Sequence, residues 1–443
     1  MVKDEPPGGA DADPPARPAF WGQIRASLPR NVLVLGIVSF LTDASSEMMM
    51  WTIPFFIALL GGGAVWIGVV EGLRESLSSL LKLASGWFSD KVGRRKPLVA
   101  LGYGISTVVK PVLALAAVPW HVLGLLGVER VGKGVRTAPR DVLIAGAVEE
   151  KHRGKAFSFH RMMDHAGAVV GLLAGTVLVW YLFAYFKDHV AGAEPADVFR
   201  FMYVLAAVPA ALAVVAILVF VRERKDHAGK GVRLDFRAGY DRKFWWFLAA
   251  LLVFALGNSS DMFLLVRAGE ILGYDVILTE AERAEMAQAW SFPWQLPLMF
   301  LVLSLAKMVF SLPGGFVADR IGRAKTLAIG WAVYAVVYLL FGFATGAWQA
   351  WALFVAYGMF YGFTEGVEKA VVADFVRPEV RGAAYGLYAF ADGIAKFPAS
   401  LLLGVLYAKV GPAVAFGVGG GCAGLACLML LGLMGAGRRR AAS

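Results

Sequence analysis

One charged signature occurs twice in this chain, and the spacing of its two copies limits the sequence to a fold built from two similar halves. The first copy reads Gly86-Trp87-Phe88-Ser89-Asp90-Lys91-Val92-Gly93-Arg94-Arg95-Lys96. The second reads Gly315-Phe316-Val317-Ala318-Asp319-Arg320-Ile321-Gly322-Arg323-Ala324-Lys325, 229 residues further on (315 − 86). A single match of this length is weak, but two in register within 443 residues point to a duplication. Long apolar stretches flank both copies, so each is read as a tight turn between two membrane spans.

Hydrophobic residues make up 58% of the chain and charged residues 17%, with a mean hydropathy of +0.63. That balance excludes a soluble domain. Crossing ~30 Å of hydrocarbon takes a helix of about 20 residues. Stretches of that kind place spans at 32–60, 65–88, 98–118, 120–147, 156–182, 199–221, 244–272, 292–318, 326–346, 348–375, 382–408 and 412–436. The fourth and fifth are the least hydrophobic and are counted because the repeat requires them. The expectation is an all-α integral membrane protein with twelve transmembrane helices in two pseudo-symmetric six-helix bundles, at 31–221 and 244–436.

The net charge of +10 is not the footprint of a nucleic-acid binder, because the basic residues sit in alternate loops. Segment 222–243, read as the cytoplasmic linker, holds eight Lys or Arg against four acids, whereas the loop with Asp275, Glu280, Glu282 and Glu285 is acidic. By the positive-inside rule both termini then face the cytoplasm, with residues 1–30 a disordered tail and 437–443 a basic one. The location expected is the cytoplasmic membrane, crossed many times. Cys422 and Cys427 share the last span, so neither a disulfide framework nor a metal cage is expected.

The halves align further. Arg153-Gly154 matches Arg381-Gly382 at an offset of 228 (381 − 153), which sets Asp164 on Asp392, His160 on Tyr388 and Gly134 on Gly362. Ser45-Ser46-Glu47 and Ser259-Ser260-Asp261 hold similar places in the first and seventh spans. Polar groups inside spans are costly against lipid, so they face partners or a watery cavity. The chain has many: Asp43 and Glu47; Glu71, Arg74, Glu75 and Lys82; Lys110; Arg130, Lys133, Arg136, Arg140 and Asp141; His160, Arg161, Asp164 and His165. The second half adds Asp261, Arg267, Glu270, Lys307, Glu365, Glu368, Lys369, Asp392 and Lys396.

The repeated loop resembles the turns after the second and eighth helices of major facilitator superfamily transporters, and the resemblance covers roughly residues 30–436. It implies a conformational latch at Gly86, Asp90, Gly93 and Arg94, and again at Gly315, Asp319, Gly322 and Arg323. Arg130 before Gly132 and Gly134 resembles the family's fourth-helix arginine motif, linked there to proton coupling. Gly167, Gly171 and Gly175 follow Asp164 on one face of the fifth span and resemble the glycine-rich motif of exporters. Leu172 stands where that motif has proline, and close helix packing explains the glycines equally well.

Proton coupling is assigned to the carboxylates within spans: Asp43, Glu47, Asp164, Asp261 and Glu365. Lys110, Arg130, Lys133, Tyr361, Lys369 and Tyr388 are expected to line the substrate cavity, where cations and aromatic faces suit a small organic anion or amphiphile. Arg140-Asp141 falls on Glu368-Lys369 with the charge order inverted, so these pairs either gate the cavity across the halves or neutralise each other within one half. The functional expectation is a monomeric secondary active transporter for a small-molecule substrate, working by alternating access in the lipid bilayer, coupled to protons and without a cofactor. Export stands against uptake of an organic anion, and His160 and His165 with Met48-Met49-Met50 leave a metal or metal chelate open. A sensor or scaffold of the same fold is the alternative outside transport. No nucleophile with its base, metal-ligand spacing or phosphate-binding loop supports an enzyme or an ATP-driven pump.

Overall fold

The computed structural model describes residues 29–92, 95–148, 153–223, 240–274, 294–365, 367–376 and 381–441. They form α1 (Arg30–Met50), α2 (Ile53–Leu59), α3 (Ala64–Val92), α4 (Arg95–Leu113), α5 (Pro119–Gly146) and α6 (Arg153–His189). The chain continues through α7 (Pro195–Phe220), α8 (Arg242–Gly257), α9 (Met262–Ile271), α10 (Gln295–Ile321) and α11 (Arg323–Phe343). It closes with α12 (Ala347–Thr364), α13 (Val367–Asp374), α14 (Arg381–Lys409) and α15 (Pro412–Ala441). With α1–α2, α8–α9 and α12–α13 each taken as one broken span, these helices make the twelve transmembrane segments of two six-helix bundles.

The duplication is visible in the packing. Span one packs on five and six, two on four, and three on four and six; seven packs on eleven and twelve, eight on ten, and nine on ten and twelve. Adding six to each number turns the first set into the second. The main contacts between halves, two on eleven and five on eight, exchange under the same operation, as a pseudo-twofold axis between the bundles requires.

Three spans break, which their apolar patterns did not foretell. Pro54 stands near the start of α2, and a proline there lacks an N–H and crowds the carbonyl one turn earlier, so span one bends at Trp51-Thr52. At the bend the Met49 carbonyl accepts both the Thr52 hydroxyl at 2.6 Å and the Thr52 N–H at 3.0 Å. Span seven opens between Gly257 and Met262, where Asn258, Ser259, Ser260 and Asp261 offer side chains that compete with helical hydrogen bonds. Span ten interrupts at Glu365, after α12. The latch turn of the second half is a single residue, Gly322, whose φ of 95° favours glycine.

Two expectations about individual spans change. The fifth is not a weak span: Phe159–His189 carries one of the stronger apolar stretches. Among the described residues, seven segments, in spans one, five, six, seven, nine, eleven and twelve, are long and apolar enough to cross a membrane on length and composition alone. The eighth is apolar over Gln295–Ser311, a shorter stretch. The glycines of span five answer the question their sequence left open. A Cβ on Gly167, Gly171 or Gly175 would lie 2.3, 2.3 or 2.5 Å from the backbone oxygen of Phe40, Ala44 or Met48, so they seat span one directly against span five.

Candidate functional site

Between the two bundles lies a cavity of about 470 Å³. Its charged walls come from both halves: Glu47 of span one, Arg74 and Glu75 of span two, Asp261 of span seven, Lys307 of span eight, Glu365 of span ten and Lys396 of span eleven. The openings in spans seven and ten both line it, so irregular backbone at membrane depth occurs where it borders a cavity and not lipid.

Asp261 is held on three sides. Tyr357 donates its hydroxyl to Oδ1 at 2.8 Å, and Tyr361 reaches both oxygens at 2.9 and 3.0 Å. Lys307 Nζ stands 3.2 Å from Oδ2 and 3.6 Å from the centroid of the Tyr361 ring, so one ammonium is shared between a carboxylate and an aromatic face. The open turn that presents Asp261 is braced by Tyr334, which donates to the Gly257 carbonyl at 2.9 Å, and by the Ser259–Tyr338 hydroxyl pair at 3.0 Å.

A chain of charges ties span two to span eleven. Arg74 binds Glu71 at 2.7 Å and approaches Glu75 at 3.7 Å, and Lys396 bridges Glu75 at 3.7 Å and Asp392 at 3.1 Å. Ser260 donates to Glu71 at 3.0 Å, which adds span seven to the chain. Ser76 is inserted into the hydrogen-bond ladder of span eleven: it accepts from the Phe397 N–H at 2.8 Å and donates to the Gly393 carbonyl at 2.5 Å. Those two groups are four residues apart and would otherwise bond each other, so a side chain of one half completes a helix of the other.

Of the carboxylates expected to couple protons, Glu47, Asp261 and Glu365 line the cavity. Neither Glu47 nor Glu365 has a side-chain hydrogen bond or ion pair among the described residues. Asp164 lies elsewhere, with the Ser39 hydroxyl donating to it and His160 Nδ1 at 3.5 Å. Asp43, in the same half, does not line the cavity.

The expected cationic cavity needs correction. Among Lys110, Arg130, Lys133, Tyr361 and Tyr388 only Tyr361 reaches the cavity; Lys369 has its side chain outside the described residues. Lys110 is 1% exposed and donates to the Ser45 and Ser46 hydroxyls, because span three lies behind span one. Arg130 is buried beside Glu129 at 3.1 Å, and Lys133 is on the same helix. Tyr388 gives its hydroxyl to Glu368 at 2.5 Å. Arg140 pairs with its neighbour Asp141 at 2.9 Å. Around the latches, Gly93 and Arg94 and the side chains of Asp90 and Asp319 lie outside the described residues, as do the positions of Gly86 and Gly315 beyond their backbone. Arg323 binds Asp374 at the end of span ten at 2.7 Å.

Arg74, Glu75, Lys307 and Lys396 are the cavity residues that sequence reading noticed only as intramembrane charges. The missed signal was topological. A twofold axis between six-helix halves brings spans two, eight and eleven to the centre, so charges on those spans had first claim on the site.

Comparison with known proteins follows the same architecture. A family model described as the major facilitator superfamily matches residues 35–292 and 293–442. An uncharacterized MFS-type transporter of Methanocaldococcus jannaschii is 34% identical over 407 residues, covering 91% of this chain and 95% of the relative. The multidrug resistance protein MdtH of Edwardsiella ictaluri is 32% identical over a shorter stretch of 130 residues, 29% of this chain and 32% of that protein. The crystal structure of the nucleoside transporter NupG superposes with a TM-score of 0.70 at 13% identity, covering 91% of this chain and 99% of that one. With its duplicated bundles, its repeated turn and a family match across nearly its whole length, this chain belongs to the major facilitator superfamily.

Proposed function

We propose that the protein is a proton-coupled secondary transporter that exports a small amphiphilic solute carrying a positive charge, alone or as a zwitterion. The observation that carries this reading is the charge balance of the cavity between the bundles. Lys307 and Lys396 are engaged by Asp261 and by Asp392 with Glu75, and Arg74 by Glu71. Glu47 and Glu365 are left without a partner among the described residues, so the groups available to a solute include two carboxylates, with His165, Tyr361, Phe300 and Met308 beside them. A cavity of about 470 Å³ falls within the range for small organic ligands. Walls on which Met50, Phe300 and Met308 alternate with carboxylates suit a cationic amphiphile better than a small anion.

Alternating access fits the way the halves meet. Spans two and eleven are clasped through Ser76 and the Glu75–Lys396 pair, bonds that one rigid-body rotation can break together. The partial likeness to a multidrug resistance protein favours export. The coupling carboxylates on this reading are Asp261, Glu47 and Glu365. The test is transport in proteoliposomes with an imposed pH gradient, comparing a lipophilic cation, a zwitterionic amphiphile and an aromatic carboxylate. Gradient-driven movement of the first or second, reduced at least tenfold in Glu47→Gln, is expected. Movement of the carboxylate alone, unchanged in Glu47→Gln, refutes the substrate class.

A further inference from the structure

A second pocket, of about 230 Å³, lies away from the central cavity, where four helix ends of the first bundle meet. Arg30 opens α1, Arg95 opens α4, Gly146 ends α5, and Arg222 follows the end of α7. Successive spans run in opposite directions, so these four ends share one face of the membrane and stand at the depth of the lipid headgroups. Three arginines line the pocket.

Among the described residues, Glu223 at these helix ends does not cancel them. Glu223 accepts from the backbone N–H groups of Arg95 and Lys96, so its carboxylate is engaged in capping α4. Arg95 is 7% exposed, and its Nε has no hydrogen-bond partner among the described residues. A guanidinium so buried is costly unless an acceptor meets it. The start of α1 adds to the same demand, because its N-cap makes no side-chain hydrogen bond. The pocket is held in shape by Asn31, which donates to the Arg222 carbonyl at 2.7 Å and accepts from its N–H at 3.0 Å.

We propose that this pocket binds a phosphate group, and that the group belongs to the headgroup of an anionic phospholipid. Planar guanidinium groups match phosphate oxygens in pairs. The surroundings favour a lipid source. Arg30 lies 5.7 Å from the ring centroid of Phe220, and Leu218, Val219 and Phe220 are 55%, 60% and 46% exposed on the outer face of α7. A headgroup in the pocket therefore has an apolar helix face beside it for its acyl chains. The central cavity shares no lining residue with this pocket, so loss of this binding leaves it intact.

The experiment uses the full chain purified in a neutral detergent, with native mass spectrometry counting bound lipid as dioleoyl phosphatidylglycerol is titrated. Saturable binding of one lipid is expected. Arg30→Gln and Arg222→Gln, both at exposed positions that leave the fold undisturbed, each weaken it about fivefold, the change that roughly 1 kcal/mol per cation near anionic lipid corresponds to. Arg95→Gln weakens it at least as much, and Arg242→Gln, an exposed arginine outside the pocket, leaves it unchanged. Wild-type binding in Arg30→Gln and Arg222→Gln overturns the site, as does equal weakening in Arg242→Gln. Displacement of the lipid by equimolar inorganic phosphate, with the same dependence on the arginines, overturns the lipid source.

Discussion

Replacing Asp261 with Asn keeps the size of the side chain and removes its charge, which isolates what that charge does. Two tyrosine hydroxyls now donate to a carboxylate at 2.8 and 2.9 Å. Hydrogen bonds to a charged group contribute about 1.5–3 kcal/mol and neutral ones about 0.5–1.5 kcal/mol, so two of them lose roughly 2 kcal/mol together. Lys307 also loses its counter-charge at 3.2 Å. Its side chain remains 27% exposed, which holds that loss to about 1 kcal/mol after solvent screening. The expected outcome is a protein that inserts and folds but melts a few degrees lower. In proteoliposomes it no longer accumulates solute against a gradient, because Asn cannot carry a proton, while exchange of solute at equal concentrations continues. Wild-type accumulation driven by a pH gradient refutes Asp261 as a coupling group. An unchanged melting temperature refutes the energetic reasoning, since it requires the tyrosines and Lys307 to lose nothing.

Gly171→Val is expected to cost at least 1–3 kcal/mol, the range for overpacking, because its Cβ position is 2.3 Å from the Ala44 backbone oxygen and a backbone cannot step aside as a side chain can. Thermal unfolding in detergent measures it, and a variant as stable as wild type shows that spans one and five are not seated as described. Ser76→Ala removes the group inserted between Phe397 and Gly393, loosening spans two and eleven by about 1–2 kcal/mol. Because that contact holds one arrangement of the halves, cysteine-accessibility labelling along the cavity wall is expected to rise, and labelling identical to wild type removes Ser76 from the clasp.

Fold and site were not equally legible in the sequence. The repeat and the apolar lengths gave twelve spans whose ends fall near those of the helices, because spanning hydrocarbon leaves the backbone few alternatives. The broken spans were less visible. Asn258-Ser259-Ser260-Asp261 read as polar residues within a helix, and only their packing against Tyr334 and Tyr338 reveals an open turn. The cavity was misjudged for a related reason. Counting charges by span gave weight to the basic third and fourth spans, but Lys110 and Arg130 are engaged by Ser45, Ser46 and Glu129 in their own bundle. A sequence shows which helix carries a charge. Which neighbour cancels it depends on the crossing of helices that are distant in the chain.

The two halves use the same frame for different work. Lys110 of span three and Tyr338 of span nine are 228 residues apart (338 − 110), and each holds the serine pair region of the broken span in front of it. In the first half that position is a buried ammonium bonded to hydroxyls, and Glu47, next along the span, faces the cavity without a partner among the described residues. In the second half it is a phenol, and the cation sits instead on Lys307, against Asp261. A proton arriving at Asp261 therefore releases Lys307, whereas a proton at Glu47 releases nothing among the described residues. A charge shared between two spans can change which spans are held together; an unpartnered carboxylate can only meet what enters the cavity. On the proposed function, Asp261 would link protonation to the movement of spans seven and eight, and Glu47 would add a proton site that the solute itself meets.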